Sequence, residues 1–290
     1  MPSKLAPAFG RLPTHLDLPD SDGVPMDNDF QIWQTMLLLN SIIPHLDRLH
    51  PDGRYHVTGD MGVYYQITDP PLQGCKAPDW FYVPNVDRVP ADSGSRRSYV
   101  MWQELVRPDI VMEFISDKSG NEYDRTRETG KFWVYEQALA VPYYVIYDPH
   151  QVKLEVYRMS VNRYELMTPD DRGFYDVQPL RLKLGLHYDT VGGLTYNWLR
   201  WFRPDGTLLE TGEEMLAEEK VRTSEERERA NAEKRRAEQE KQRAEQEKQR
   251  AEQEKQRAEQ EKQRADLVQQ RAEKLAQRLR ELGLDPEQPE

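Results

Sequence analysis

The order of apolar runs and helical segments predicts an α/β protein: a mixed, twisted sheet sandwiched with helices, followed by one long C-terminal helix. Three observations carry this reading. Residues 110–115, Ile-Val-Met-Glu-Phe-Ile, form a nearly unbroken apolar run, as expected of a central strand buried on both faces. Helical apolar spacing precedes it at Phe30, Trp33, Met36 and Leu37, and follows it at Phe132, Tyr135 and Leu139. After residue 212 aromatic residues are absent and a charged heptad recurs, with no Gly or Pro before Gly283.

Taken in order, residues 1–24 read as an extended, Pro-containing entry, and residues 25–212 as the globular body. Asp27 or Asn28 can cap the first helix, which Pro44 is expected to kink or end. Arg54 to Ile67 carries Tyr55, Val57, Val63, Tyr64, Tyr65 and Ile67 around Gly59-Asp60 and Gly62, a strand, a turn and a strand. A further strand covers Asp79 to Val83. Arg88 to Arg97 has the chemistry of a surface loop. Val100 to Leu105 is compatible with either strand or helix. After the central strand, Asn121 to about Leu139 is expected to be one helix. Pro142 to Tyr147 and Val152 to Tyr157 are strands joined at Asp148-Pro149-His150, and Arg163 to Met167 completes an antiparallel set.

Composition narrows the function classes. All six tryptophans lie before residue 212, so the body can bury a sizeable core. The single Cys75 excludes an internal disulfide and fits a reducing compartment. The six histidines have no zinc-ligand spacing. No run approaches the ~18 apolar residues of a membrane span, and Met1 to Leu12 lacks an apolar signal core; we expect a cytoplasmic protein with no membrane partner. The net charge is -11, most of it in the body, which works against tight non-specific binding to nucleic acid. A cluster of carboxylates is nonetheless what a bound cation neutralises.

The candidate site follows from three residues. Hydrolysis of a phosphodiester needs a divalent cation, carboxylates to hold it, and a group that orients the attacking water. Asp79, Glu113 and Lys131 could supply these roles. Glu113 is the most telling, because an ionised carboxylate inside an apolar strand is costly unless paired, hydrogen-bonded or metal-bound. Its structural alternative is an ion pair with Arg125 or Arg127. Asp109 and Glu113 lie about 13 Å apart along one strand, too far to share a cation, so Asp79 from a neighbouring strand is the better partner. Ile115 stands where a lysine two residues after the acid would be, so a lysine from elsewhere must take over. Lys131 can do so if the following helix packs across the end of the sheet, its structural alternative being a solvated helix residue.

Ala77-Pro78-Asp79, then Arg107-Pro108-Asp109-Ile-Val-Met-Glu113-Phe-Ile-Ser116, then Lys131-Phe-Trp-Val-Tyr135, then Val141-Pro142-Tyr143-Tyr144-Val145-Ile146-Tyr147-Asp148-Pro149 together resemble the Uma2 family of restriction-endonuclease-like proteins, over roughly residues 25 to 205. The resemblance implies the PD-(D/E)XK nuclease fold, a restriction-endonuclease-like mixed sheet sandwich. It implies DNA as substrate and Mg²⁺ as cofactor, with Mn²⁺ an alternative. Asp79, Glu113 and the Phe114 carbonyl would be the metal ligands, with the lysine moved from strand to helix at Lys131. Lys131 and Tyr135, four residues apart, would share a helix face. Two features depart from the family pattern. Asp124 lies seven residues before Lys131 rather than four and receives no role, and no first-helix Glu is present, which leaves a third ligand open.

From Arg236 the heptad Arg-Ala-Glu-Gln-Glu-Lys-Gln recurs four times, then degrades. A helix over residues 213–284 would extend ~105 Å. Only Ala takes an apolar place in each repeat, while Glu240, Glu247, Glu254 and Glu261 occupy the second core position, too thin a seam for a strong coiled coil. Ala265, Val268, Ala272, Leu275, Leu279 and Leu282 regain both positions, so a weak homodimer through this end is expected. Residues 285–290 read as a disordered end. The competing function is a non-catalytic assembly or binding protein, in which a degenerate nuclease body accompanies a self-associating tail.

Overall fold

The computed structural model describes residues 11–19, 28–90, 94–116 and 121–281. Its strands are β1 (Tyr55–Thr58), β2 (Val63–Tyr64), β3 (Cys75–Lys76), β4 (Trp80–Pro84), β5 (Tyr99–Val100), β6 (Ile110–Phe114), β7 (Tyr143–Asp148), β8 (Lys153–Ser160), β9 (Arg163–Leu166), β10 (Tyr175–Val177), β11 (Leu182–Val191) and β12 (Leu194–Phe202). The main sheet has six strands in the order β1-β4-β6-β7-β8-β9. Only β6 and β7 run parallel within it, and both are buried along their whole length, as the apolar run predicts. The architecture is α/β and consistent with a restriction-endonuclease-like fold.

Strand alternation sorts the core into two layers. Trp80, Tyr82, Ile110, Met112, Phe114, Tyr143, Val145 and Tyr147 face one side. There they meet the first helix, α1 (Asp29–Leu49), through Phe30, Leu37, Leu38, Ile42 and Leu46, and the three-stranded sheet β10-β11-β12 through Trp198 and Trp201. Phe81, Val83, Val111, Tyr144 and Ile146 face the other side and pack on Val63, Tyr99, Phe132, Tyr135 and Leu139.

Several elements differ from the sequence expectation. Asn28 caps α1, its side chain accepting from the Gln31 N–H at 3.1 Å, whereas Asp27 lies outside the described residues. Pro44 does not end α1, which continues to Leu49. The carbonyl deprived of its donor belongs to Asn40 on the exposed face, where solvent can satisfy it, while Ile42 and Leu46 on either side are fully buried. The strands in Arg54–Ile67 exist but do not pair together: β1 joins the main sheet beside β4, and β2 lies between β3 and β5 in a second three-stranded sheet. Residues 99–104 are both strand and helix, β5 running into the one-turn α2 (Met101–Glu104).

The expected helix from Asn121 to Leu139 is the largest correction. Only a 3₁₀ turn (Asn121–Tyr123) and, after a loop, a single helical turn α3 (Lys131–Trp133) form, the latter widening into a π turn at Val134–Ala138. Asp124 Oδ1 accepts from both the N–H and the hydroxyl of Thr126, a local bond that competes with helix. Gly130 then packs against the backbone: a Cβ there would lie 2.3 Å from the Asp124 carbonyl oxygen. The sequence reading also left β10 to β12 unassigned, although Gly192-Gly193, both at positive φ, form the tight turn of the β11–β12 hairpin.

The described part of the entry segment is docked by hydrogen bonds. Trp102 Nε1 donates to the Pro13 carbonyl at 2.7 Å and the Tyr64 hydroxyl to the Pro19 carbonyl at 2.9 Å. The chain divides after Leu216 into two compact units. Helix α4 (Gly212–Glu281) has 70 residues, none of them buried, and its apolar end residues Leu267, Val268 and Leu275 are exposed. Leu282 and residues 285–290 lie outside the described residues. No described helix is long and apolar enough to cross a membrane.

Candidate active site

Strand register brings Asp79 and Glu113 together. Trp80 pairs with Met112 across the antiparallel β4–β6 ladder, so one step along that register Asp79 faces Glu113. Side chains in such opposed positions have Cβ atoms ~4.5–5.5 Å apart. The same alternation that turns Trp80 and Met112 towards α1 turns both carboxyls to the face covered by α3.

Asp79 is fixed from three directions. The Phe114 N–H donates to its Oδ2 at 2.5 Å, and the Thr35 hydroxyl donates to its carbonyl at 3.1 Å. Gly59 closes the third side, since a Cβ there would stand 2.2 Å from the Asp79 carbonyl oxygen and 2.5 Å from Thr35 Cγ2. Gly59→Ala should therefore displace Asp79. We expect a loss of about 1–3 kcal/mol in stability, the usual cost of forcing extra volume into a packed contact. An unchanged melting curve in that variant would show that the contact yields without strain.

Glu113 is 1 % exposed and has two partners, both from the element after the Gly130 contact. Lys131 Nζ donates to its Oε2 at 2.9 Å, and the Tyr135 hydroxyl donates to its Oε1 at 2.6 Å. The four-residue step from Lys131 to Tyr135 thus places both on one carboxylate. The arginine alternatives go elsewhere: Arg125 reaches Glu136 at 3.8 Å and lies over the Phe132 ring, and Arg127 pairs with Glu128 at 3.4 Å.

Burial pushes the Asp79 carboxyl well above the usual range, and the charge of Glu113 pushes it further, against the Phe114 N–H and Lys131. Burial also raises Glu113, against Lys131 and Tyr135. Burial alone would lower the Lys131 ammonium, but the charge and hydrogen bond of Glu113, with Glu122 and Asp79, hold it above the ordinary lysine value. Lys131 is consequently a permanent cation at neutral pH, suited to electrostatic work and unsuited to general-base work.

Three residues that sequence reasoning did not assign also stand at the site. Glu122, on the 3₁₀ turn, places Oε1 3.5 Å from Lys131 Nζ. Lys76 on β3, three residues before Asp79, is half-buried; burial lowers its ammonium, as does the charge of Lys131, while Glu113 raises it. Gln31 on α1 donates from Nε2 to the Phe114 carbonyl at 3.2 Å. That carbonyl, expected as a metal ligand, retains a second lone pair. Only the short separation of Lys76 from Asp79 was available to sequence reasoning as a signal. Asp109 sits at the opposite end of β6, its carbonyl accepting from the Tyr143 N–H, and Asp124 is a turn residue.

Among the described residues, no three His, Cys, Asp or Glu side chains form a metal cluster. The Asp79–Glu113 pair does fit a hard divalent cation. Two opposed carboxyls, Glu113 buried and Asp79 partly buried, face each other with one lysine in contact, on Glu113, and burial raises the pKa of each.

The profile of Uma2, described as "Putative restriction endonuclease", matches residues 23–188, more than half of the chain. No curated protein matches it significantly.

Proposed function

The chain belongs to the Uma2 family, whose description points to a nuclease, and from this premise we propose that it hydrolyses DNA phosphodiester bonds with a divalent cation held by Asp79, Glu113 and the Phe114 carbonyl. The observation that carries the proposal is the in-register Asp79–Glu113 pair, Glu113 buried, with Lys131 and Tyr135 on Glu113. Mg²⁺ or Mn²⁺ bound there supplies the positive charge against which the phosphate's developing charge is stabilised. Lys131, always protonated, directs its N–H groups at the attacking water and the phosphate oxygens. Tyr135 holds Glu113 in one rotamer, and the Phe114 N–H does the same for Asp79. Lys76 adds a second positive charge, which offsets part of the acidity of the body near the substrate.

The proposal is tested by incubating supercoiled and linear DNA, beside an RNA of the same sequence, with the full chain and Mg²⁺ or Mn²⁺. Nicking of DNA that EDTA abolishes is the expected result. Cleavage that survives EDTA, or that acts on RNA alone, contradicts it. The alternative of a non-catalytic assembly protein draws on the lysine missing at position 115 and on the exposed apolar end of α4. Such a protein need not bind Mn²⁺, so calorimetric titration with Mn²⁺ separates the two readings. Self-association through α4 is proposed independently of catalysis. Leu275→Glu with Leu279→Glu should convert a concentration-dependent dimer to monomer in sedimentation, and two monomeric proteins would remove it.

The raised Asp79 pKa sets a pH dependence with a definite sign. Between its ordinary value of 3.8 and the raised native value, the native state binds more protons at this group than the unfolded state does. Its contribution to stability is therefore greatest below that window and is lost as pH rises through it. Without metal, Asp79→Asn should melt higher than wild type, by about 1 kcal/mol as is usual when a functional site is relieved of strain, with the gap widening as pH rises. Added Mg²⁺ should stabilise only wild type, and increasingly so at higher pH, because the cation binds the ionised form. A gap that narrows with rising pH would contradict the assignment.

A further inference from the structure

Lys131 and a divalent cation compete for the same atom, since the Lys131 ammonium sits on Glu113 Oε2 while Tyr135 occupies Oε1. For Glu113 to ligate a cation through Oε2, the ammonium, on a side chain 27 % exposed, must withdraw to another partner or lose its ion pair. Resting on the nuclease reading, we propose that Glu122 is the second seat of the Lys131 ammonium, the carboxylate that receives it when a cation occupies Asp79 and Glu113, and so a positioning residue for Lys131.

Four observations support this assignment. Glu122 is 7 % exposed, and its Oε1 already lies 3.5 Å from Lys131 Nζ, against 2.9 Å for Glu113. Its Oε2 is buried and accepts no hydrogen bond among the described residues. A buried carboxylate oxygen left without a donor is expensive, and a native fold that keeps one calls for a reason. The turn carrying Glu122 is anchored from inside the core, the Tyr144 hydroxyl donating to the Glu122 carbonyl at 2.9 Å, so the acceptor is held still while the flexible lysine stem moves.

The other charged groups around Lys131 are poor alternatives. Asp79 would itself be holding the cation. Lys76 is of like charge. The Asp124 Oδ1 is already bonded to Thr126, and its side chain stands in solvent. Glu122, with two oxygens and one loose contact, has room for an ammonium with three donors. Movement of Nζ by a small rotation of the stem would exchange the Glu113 contact for a close Glu122 contact.

The test is a double-mutant cycle read in cation affinity, using Mn²⁺ calorimetry on the full chain without DNA. Glu122→Gln should weaken Mn²⁺ binding about tenfold, because the lysine then has only Glu113 to pair with. Lys131→Met should tighten it by removing the competitor. Glu122→Gln added to Lys131→Met should make no further difference. Equal weakening in both backgrounds would mean that Glu122 acts as a ligand or as a distant charge, and would overturn the proposal, as would no effect in the wild-type background. A wild type that binds no Mn²⁺ fails at the earlier step and removes the nuclease reading as well. Melting curves without metal establish that all four proteins are folded. Should Glu122→Gln not fold, the Lys131 Nζ resonance of the wild type carries the test. It should shift on saturation with Mg²⁺ while the group stays protonated, and an unmoved resonance overturns the proposal.

Discussion

Glu113→Gln is expected to reduce cation-dependent DNA cleavage by roughly 10³-fold or more, the scale seen when a group acting directly on transition-state charge is removed. The amide has nearly the same shape as the carboxyl and can still accept the Tyr135 hydroxyl, so the 1 % exposed site stays filled. What is lost is the negative charge that holds Lys131 at 2.9 Å and that, in the proposed mechanism, would hold a divalent cation with Asp79. Glutamine is preferable to alanine here, because alanine would leave a cavity and an orphaned tyrosine hydroxyl and so mix folding with chemistry. Lys131→Met should cost less, about 10²-fold, since it leaves both carboxylates and tightens the cation. The comparison is made in single-turnover cleavage of supercoiled DNA with melting curves alongside. A Glu113→Gln protein that melts normally and cleaves at the wild-type rate would remove Glu113 from the mechanism.

The largest effect on stability is expected far from this site, at Glu214. Arg200 on β12 has a side chain with no exposure at all, and Glu214 answers its guanidinium in a fork, with contacts of 2.9 and 2.7 Å. The same glutamate takes part in a capping box. Thr211 donates its N–H to Glu214 Oε2 at 2.6 Å, while its hydroxyl accepts from the Glu214 N–H at 3.2 Å. Glu214→Ala removes the glutamate half of the capping box and deprives a buried guanidinium of its counter-charge, a change that typically costs about 3–5 kcal/mol. For a body of this size that corresponds to a fall of roughly 10 °C in melting temperature. Arg200→Met with Glu214→Ala should recover much of the loss, because the charge is then absent as well. A single variant within about 2 °C of wild type would show that the guanidinium finds another partner. A truncation meant to isolate the body should for the same reason retain residues through Leu216.

The sequence by itself determined the elements whose physics is local or periodic. The nearly unbroken apolar run at residues 110–115 reads as a strand buried on both faces, and β6 is buried throughout. The long segment without Gly or Pro, with opposite charges at helical neighbour spacings, can continue as one helix, which α4 does to Glu281. The cost of a carboxylate within that apolar run also singled out Glu113, whereas the resemblance to the Uma2 family, and not spacing alone, pointed to Lys131 with Tyr135. Pairwise geometry was beyond it. Nothing local predicts that β1 and β2 enter different sheets, and the close approach of Gly59 to Asp79 is a contact between segments distant in sequence. The residues after Asn121 have helical spacing, yet Asp124 and Gly130 make a tight loop there, because side-chain-to-backbone bonds and packing on the sheet outweigh a weak helical preference. That loop delivers Glu122 to Lys131. Register across β4 and β6 likewise sets Asp79 opposite Glu113, since a shift of one residue would turn the carboxyls to opposite faces. Only the folded sheet fixes that register, through burial of Trp80, Met112 and their neighbours on the face away from the site.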